Sequence, residues 1–537
     1  MLHDVTTKVW DVIVIGTGIG GGTIGRSLAE KGFSVLFLEK GPFGPRAEQQ
    51  NMSYDILDPH ARLIRGLWPV EMTGTINGQT STFLGPLGAG VGGSSAFYAA
   101  TLERPERHDI DETSQHKHPT GGWPVDYDSF EPYFTAAEQM YCVRGGVDTL
   151  SSEPPADILP PIPIEAGDES LMASFSRLGL HPYQLHLGVK ALPGCGFCFG
   201  SKCPRVCKMD GRSAGVEPAL ATGNASILDM CEVNFLRADA DQVLHVEAQR
   251  GGQNIAVRGR AYVLAAGGFG SPRLLLASRS EQWPMGLANG SDMVGRNMMF
   301  HLTEMIAVWP ERGGRFDAPT RGLALRDFYS SEGQRYGSFQ AMGVNGSYGE
   351  IVQYLKNVFD RSPLRKLRPL RALLRIPAYL ASRIFGNAKV FVGIMEDLPY
   401  AENRVLLDPE KPERIVFEYF IPAELRTRRA EYQKLIKRKL KGLKSTFLTF
   451  QPNLNFAHVC GTLRFGNDPK TSVLDANCRT HEVKNLYVAD ASFMPTSTGI
   501  NPSLTIAANA LRIADAIAGQ LRADPAGATR KETSHAH

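Results

Sequence analysis

Asp11-Val-Ile-Val-Ile15 and the turn that follows it, Gly16-Thr-Gly-Ile-Gly-Gly21, decide the fold of this chain. The first stretch is short, apolar and β-branched, which predicts a buried parallel strand. The turn has the spacing G-x-G-x-x-G, and the pattern after it predicts a helix over 22–31 and a second strand over 34–38, ended by Glu39. Strand, glycines, helix, strand and acid in this order predict a Rossmann-like α/β unit that binds a dinucleotide.

Each residue of the motif has a physical reason. We expect Gly16 to make the tight turn, Gly18 to let the backbone approach a pyrophosphate, and Gly21 to let helix and strand pack closely. The helix N-terminus offers N–H groups to phosphate oxygens. Glu39 can accept hydrogen bonds from ribose hydroxyls. The motif alone does not distinguish FAD from NAD.

Length and composition bound the remaining choices. A chain of 537 residues exceeds the usual size of one hydrophobic core, so we expect two lobes. The formal net charge of +3 gives no support to a nucleic-acid or polyanion partner. The N-terminus lacks a secretory signal and no run of about 18 apolar residues occurs, so we expect a cytoplasmic protein. The polar stretch 523–537 predicts a flexible tail.

Further motifs follow the first turn in a fixed order. They are Gly85-Pro-Leu-Gly-Ala-Gly-Val-Gly-Gly-Ser-Ser95, then Ala261-Tyr-Val-Leu-Ala-Ala266 with Gly267-Gly-Phe-Gly-Ser-Pro272, and Asn485-Leu-Tyr-Val-Ala-Asp490 with Gly499-Ile-Asn-Pro-Ser-Leu-Thr505 and a helix over 506–518. Together these motifs resemble the glucose–methanol–choline (GMC) oxidoreductase family, in particular its bacterial sugar and alcohol dehydrogenase–oxidase branch. The resemblance spans about residues 10–521.

The resemblance implies an α/β fold with two domains. A Rossmann-like FAD-binding domain would be assembled from 1–112, 209–305 and 453–522. A second, sheet-plus-helix substrate-binding domain would comprise 113–208, with its Cys-rich loop 194–208, and 306–452.

The resemblance also implies which residues hold FAD. Some members tether FAD through a His after the glycine loop, and Ser95-Ala-Phe-Tyr-Ala99 has none, so we expect non-covalent FAD. The implied FAD-binding residues are Gly16, Gly18, Gly21, Glu39, Gly92, Gly93, Ser94, Ser95, Val233, Ala266, Gly267, Asp490, Ala491, Asn501 and Pro502.

Alcohol oxidation needs a base for the hydroxyl proton while the hydride passes to flavin N5. Neutral His suits this task, because its pKa lies near working pH. His458-Val-Cys-Gly-Thr462 and Asn501-Pro502 match the family motifs, which implies His458 as general base and Asn501 as the partner that orients the hydroxyl. We expect a mainly structural role for His301 and a small buried hydrophobe in Cys460.

The resemblance favours a sugar, amino sugar or polyol as substrate. Three alternatives stay open: a long-chain or other lipophilic alcohol oxidase, an FAD-containing hydroxynitrile lyase, and the flavin subunit of an electron-transfer dehydrogenase complex. The electron acceptor would be oxygen, a quinone or a redox protein.

Four cysteines with the spacing C-x2-C-x4-C-x3-C fall in the loop 194–208. They are Cys195, Cys198, Cys203 and Cys207. Free thiols or local disulfides, an iron–sulfur cluster and a zinc ion are all compatible with this spacing.

The segment between Asp360 and Glu396 has eight basic residues and no acidic one. A helix over 362–375 would place its arginines on one side and its leucines opposite, but Pro363, Pro369 and Pro377 argue against one long helix. The arginines are Arg361, Arg365, Arg368, Arg371 and Arg375. We expect a solvated basic face, with a peripheral membrane contact as the alternative.

Overall fold

The structure is a computed structural model. It describes residues 2–47, 58–114, 116–155, 157–310, 322–345, 351–352, 355–356, 358–359, 362–385 and 388–524. The predicted tail beyond residue 524 lies outside these residues, as does Arg361. The fold is α/β, as predicted, and three larger sheets organise it.

The first sheet has seven strands and contains the motif strand at its centre. In spatial order it comprises Ala225–Leu228, Val35–Leu38, Val9–Ile15, Gln253–Leu264, Val243–Arg250 and Cys231–Ala238, with Leu486–Val488 beside Gln253–Leu264. The strands around the motif run parallel, with Val12 opposite both Val35 and Ala261. The strand Val9–Ile15 is buried over its apolar part because helices cover the sheet faces.

Three helices pack around the nucleotide end of this sheet. The motif helix is Ile19–Glu30, and the last helix is Ser503–Ala523, longer than the predicted 506–518. The motif helix begins three residues before the predicted position because Gly18 already caps it in an extended conformation. The last helix packs against Ile19–Glu30 and against Tyr127–Met140.

The second and third sheets form most of the other lobe. The six-stranded sheet comprises, in spatial order, Ser445–Phe447, Leu302–Val308, Lys389–Met395, Phe339–Asn345, Leu323–Leu325 and Pro182–Gln184. The four-stranded sheet comprises Arg404–Leu406, Val416–Tyr419, Met72–Ile76 and Gln79–Phe83. The last two strands belong to the segment assigned to the FAD domain, so this sheet crosses the predicted boundary. The domain division stays a prediction.

The remaining elements of the described chain are two small strand pairs, further α-helices and short turns of tighter or wider helix. Two small strand pairs are Val143–Arg144 with Leu187–Gly188 and Ser330–Ser331 with Gln334–Arg335. The other α-helices are Leu2–Thr7, Pro59–Arg65, Arg107–Ile110, Ala166–Arg177, Glu217–Ala221, Gly267–Ala277, Arg368–Leu373, Arg375–Phe385 and Ala423–Lys439. Tighter turns of 3₁₀ helix occur at Gly93–Ala96, Arg326–Phe328, Pro363–Lys366, Phe456–His458 and Ala491–Phe493, and a π-helix at Gly211–Val216.

The proline-containing basic segment forms three pieces rather than one helix, as predicted. Across the described ranges, no helix is long and apolar enough to cross a bilayer.

Candidate active site

A cavity of about 1450 Å³ opens where the first sheet faces the six-stranded sheet. Ligand pockets for one drug-sized molecule measure roughly 300–1,000 Å³, so this cavity has room for a dinucleotide and a substrate. Most residues predicted from the sequence line it, namely Gly16, Gly18, Glu39, Gly93, Ser94, Ser95, Val233, Ala266, Gly267, His458, Asp490, Ala491, Asn501 and Pro502. Gly21 and Gly92 do not line it.

The three motif glycines occupy different environments. Gly16 has φ of +102°, and a Cβ there would lie 2.4 Å from the Ala265 carbonyl oxygen. At Gly21 a Cβ would lie 2.1 Å from the Gly16 carbonyl oxygen, so this glycine allows helix and strand to touch. At Gly18 a Cβ would meet no protein atom within 4 Å, because this backbone faces the cavity. A dinucleotide phosphate fits that open side.

Glu39 lies at the end of its strand with its carboxylate in the cavity wall. Its Oε2 accepts hydrogen bonds from the Thr17 hydroxyl (2.5 Å) and amide (3.2 Å), and its Oε1 accepts one from the Gly41 amide (3.1 Å). Burial raises the pKa of Glu39 to about 7 despite these bonds. Additional hydroxyl donors, such as those of a ribose, would stabilise the charged form.

The second glycine loop packs directly on the first turn. Gly93 has φ of +55°, and a Cβ there would lie 3.0 Å from the Gly18 Cα, so a larger residue would strain the turn and push the two loops apart. Ser95 holds the loop in place, because its hydroxyl donates to the Gly92 carbonyl (2.5 Å) and accepts from the Gly211 amide (2.9 Å). Gly92 does not face the cavity itself, but its carbonyl holds the side chain of Ser95, which does.

Asp490 joins two elements at the cavity. Its Oδ2 accepts from the Gly267 amide (2.8 Å) and the Ser271 hydroxyl (2.5 Å). Its Oδ1 accepts from the amide and hydroxyl of Ser492. Burial raises its pKa. Asp490 thus fixes the start of the helix Gly267–Ala277 against the strand end that precedes Ala491.

The central finding is a hydrogen bond between two histidines. His458 lines the cavity, and its Nδ1 lies 2.9 Å from Nδ1 of fully buried His301. The backbone aligns them, because Met299 and Leu302 form antiparallel bridges with Cys460 and Leu454.

The contacts of His301 determine which ring nitrogens carry protons. Its Nε2 lies 3.0 Å from the Thr498 carbonyl oxygen and 3.2 Å from that of Ser497, so Nε2–H donates to both. Burial lowers the pKa of His301 to about 4, which leaves its Nδ1 unprotonated. Nδ1–H of His458 must then be the donor between the two rings, and the lone pair of neutral His458 lies on Nε2.

Asp397 was not predicted from the sequence, yet it supports this pair. Its Oδ2 accepts from the Phe300 amide (2.9 Å) and the Tyr419 hydroxyl (2.6 Å). Its backbone exchanges hydrogen bonds with the Ser497 hydroxyl, 2.8 Å from amide to hydroxyl and 3.1 Å from hydroxyl to carbonyl. Burial raises the pKa of Asp397 to about 7. Asp397 and its partner Phe300 are 97 positions apart in the sequence, so no local sequence pattern could reveal this contact.

Two cavity residues have buried amide atoms without a hydrogen-bond partner among the described residues. One is the predicted Asn501, whose Oδ1 has none. The other is Gln340, fully buried, whose Oε1 and Nε2 both have none. Gln340 was missed because its strand, Phe339–Asn345, carries no motif. Cys460 is 1% exposed and absent from the cavity wall, which matches the expectation of a small buried hydrophobe.

The Cys-rich loop lies beside the cavity, which Phe199 and Gly200 line. Nζ of buried Lys208 pins the loop by donating to the carbonyls of Ala96 (2.8 Å), Cys198 (3.1 Å) and Ser201 (2.6 Å). All four cysteines are free thiols. In the described part of the chain no three His, Cys, Asp or Glu side chains are placed to hold a metal ion. The predicted iron–sulfur or zinc ligand set therefore gains no support.

One thiol of this loop differs electrostatically from its neighbours. Burial alone would raise the pKa of Cys203, but backbone N–H groups of Lys208, Arg205 and Cys207 outweigh it and lower the pKa. Burial raises the pKa of Cys195 and Cys198.

Comparisons with known proteins agree with this geometry. The family model described as GMC oxidoreductase matches residues 11–303 and 399–510. The chain belongs to the GMC oxidoreductase family. It is therefore an FAD-dependent oxidoreductase that acts on CH–OH groups. The open backbone at Gly18, the carboxylate of Glu39 and the size of the cavity all fit FAD.

Similar proteins include both oxidases and dehydrogenases. This GMC oxidoreductase is 29% identical to paromamine 6'-oxidase of Streptomyces fradiae, over 96% of this chain and 92% of the relative. It is 26% identical to the fructose dehydrogenase large subunit of Gluconobacter japonicus, over 95% and 98%. Pyridoxine 4-oxidase from Mesorbium loti shares the fold, with a TM-score of 0.62, 20% identity and coverage of 94% and 99%.

Proposed function

We propose that this GMC oxidoreductase oxidises a hydroxyl-bearing carbon of a sugar, amino sugar or polyol to a carbonyl, with His458 as general base. The observation that carries the proposal is the hydrogen bond from His458 to His301 at the cavity wall. It assigns the proton of neutral His458 to Nδ1 and the lone pair to Nε2.

The residues act in a defined order. The substrate hydroxyl gives its proton to Nε2 of His458, and the amide of Asn501 holds the hydroxyl in position. Nδ1–H of His458 keeps donating to His301, so the ring stays oriented while it becomes charged. Bound FAD supplies the two-electron acceptor, and we propose that it is held non-covalently by the cavity residues predicted above.

A polar substrate is supported by Gln340. An amide buried with neither of its polar atoms paired costs free energy unless a ligand pairs them. Several hydroxyl or amino groups on one substrate can serve both Gln340 and Asn501. The similar proteins named for paromamine, 6'''-hydroxyparomomycin C and fructose point to the same class.

Other parts of the proposal concern location and acceptor. We propose a cytoplasmic protein in which oxygen, a quinone or a redox protein accepts the electrons.

The test is an anaerobic visible spectrum of the purified protein with each of four alcohols: a neutral sugar, an amino sugar, a cyclitol and a long-chain alcohol. We expect the polyhydroxylated compounds to bleach the flavin bands, and a His458→Asn variant to contain flavin that they do not bleach. Bleaching by the long-chain alcohol alone would overturn the substrate class. Flavin that no alcohol reduces, with cleavage of a hydroxynitrile, would indicate a lyase. Reoxidation by air or by an added quinone would then identify the acceptor.

A further inference from the structure

Exposed apolar side chains concentrate in one part of the surface. Eight of the nineteen exposed large hydrophobic residues in the described chain fall between Val358 and Leu380. A soluble protein normally scatters such residues singly, whereas a contiguous patch marks an interaction surface.

The exposed residues recur at helical spacing. We call them the apolar row: Leu364, Leu367, Leu370, Leu373, Ile376, Tyr379 and Leu380, which are 40–62% exposed. In the helix Arg375–Phe385, Ile376, Tyr379 and Leu380 are three and four positions apart, so they share one side, while Ala378 is fully buried. The leucines of the row are therefore exposed together with basic residues of the same segment.

The charged residues along the segment that carries the row are all basic. No acidic residue lies between Asp360 and Glu396, and Lys366, Arg375 and Arg383 are exposed. Nη2 of Arg383 donates to the Tyr379 hydroxyl (2.9 Å), which places a positive charge at the edge of the apolar side chains.

We propose that the apolar row docks on an anionic lipid bilayer. Leucine, isoleucine and tyrosine side chains would enter the boundary between headgroups and acyl chains, and the basic residues would contact lipid phosphates. An anionic bilayer surface matches this segment, because it offers acyl chains to the apolar side chains and phosphates to the basic residues beside them.

The docking surface reaches the cavity. Val358 and Arg371, from the same segment, also line the cavity wall. Docking would therefore hold one side of the active-site cavity at the membrane surface.

The test is sedimentation of the FAD-loaded full chain with vesicles of phosphatidylcholine alone or mixed with phosphatidylglycerol. We expect binding to the anionic vesicles only, weakened by salt. Ile376→Gln with Leu380→Gln should weaken binding at least about tenfold. Lys366→Gln with Arg375→Gln should weaken it about fivefold for each charge removed.

Matched controls are exposed residues outside the segment. Leu244→Gln with Met285→Gln, which alter side chains 48% and 54% exposed, should leave binding unchanged, as should Arg258→Gln with Lys470→Gln. FAD content and thermal midpoint check that each variant folds. Absence of binding to anionic vesicles, or equal binding by row and control variants, overturns the proposal. Lipid-free self-association that the row substitutions abolish would also overturn it, because a second copy would then cover the row.

Discussion

The FAD end of the molecule and the substrate wall are built by different means. Around Gly16 to Gly21 and Gly93, backbone touches backbone, and the geometry depends on the absence of Cβ atoms. Around His301, Asp397 and Gln340, the site depends on side chains that distant strands bring together. The difference teaches that the glycine turn of the FAD end is specified by local sequence, whereas the positions of His301, Asp397 and Gln340 depend on tertiary pairing.

The sharpest test separates chemistry from cofactor binding. His458→Asn should lower kcat about 10²–10⁴-fold, because general base catalysis is typically worth that much. FAD content should not change. Steady-state kinetics with the substrate found by flavin bleaching measures this, with His245→Asn, in the strand Val243–Arg250 and outside the cavity wall, as control. A variant that keeps kcat within fivefold of the original would remove His458 from the base role.

The substrate wall is tested by replacing Gln340 with a side chain of similar shape. Gln340→Met should lower kcat/KM for a polyhydroxylated substrate about 10–100-fold, since lost hydrogen bonds in a buried site are worth roughly 1–3 kcal/mol. A simple aliphatic alcohol should lose much less. Gln184→Met, which removes a hydrogen bond to the Ile162 carbonyl away from the cavity, is the control. Equal losses for both alcohols would show that Gln340 only packs.

We predict that alanine substitutions at Gly18 and Gly21 have different effects, one on FAD affinity and the other on stability. Gly18→Ala should fold normally and weaken FAD binding roughly tenfold, because its Cβ enters the ligand space. Gly21→Ala should instead lower the thermal midpoint of the apoprotein, because its Cβ meets the Gly16 carbonyl oxygen. FAD titration and thermal unfolding of both variants measure this. An unstable Gly18→Ala protein would contradict the assignment.

A smaller effect is expected from the second histidine. His301→Ala should lower kcat roughly tenfold, because the variant loses the hydrogen bond that orients His458, and such a bond contributes about 1.4 kcal/mol. His301→Asn, whose carbonyl oxygen can accept from Nδ1–H, should recover part of the loss. Because His458 would no longer be held in one tautomer, the pH profile of kcat should shift in the Ala variant. An unchanged profile would indicate a merely structural role.

The smallest effect at neutral pH concerns stability. The pKa of His301 is about 4 in the folded protein, below the ordinary value of 6.5. Its neutral form is therefore favoured by folding, and the stability it supports is complete above pH 6.5 and is lost as pH falls toward 4, by about 1.4 kcal/mol per pH unit. His301→Asn should lose less stability than the original protein over this range in urea unfolding. Parallel curves would contradict the buried neutral ring.

The sequence predicted the FAD end well because its signals are short-range. Strand, turn and acid between Asp11 and Glu39 stand where the pattern placed them, within a few residues. His458 and Asn501 were found through motifs. Gln340 and Asp397 were not, because each lies in an ordinary strand or strand end whose role depends on distant partners: Gln340 pairs with Val392, 52 positions away, and Asp397 with Ser497, 100 positions away. The sequence indicated leucines opposite the arginines over 362–375, but only the structure shows that Leu367, Leu370 and Leu373 are exposed and that the row continues to Leu380.

The assembly of the cavity from distant segments of the chain has a thermodynamic consequence. The walls of the cavity come from segments spread between Ile15 and Ile506, and FAD would touch many of them at once. A ligand that binds only the folded chain stabilises it by mass action, about 2.7 kcal/mol at a hundred times its dissociation constant. Flavin supply would then set how much of this protein survives proteolysis, and the holoprotein and apoprotein would differ in lifetime as well as in colour.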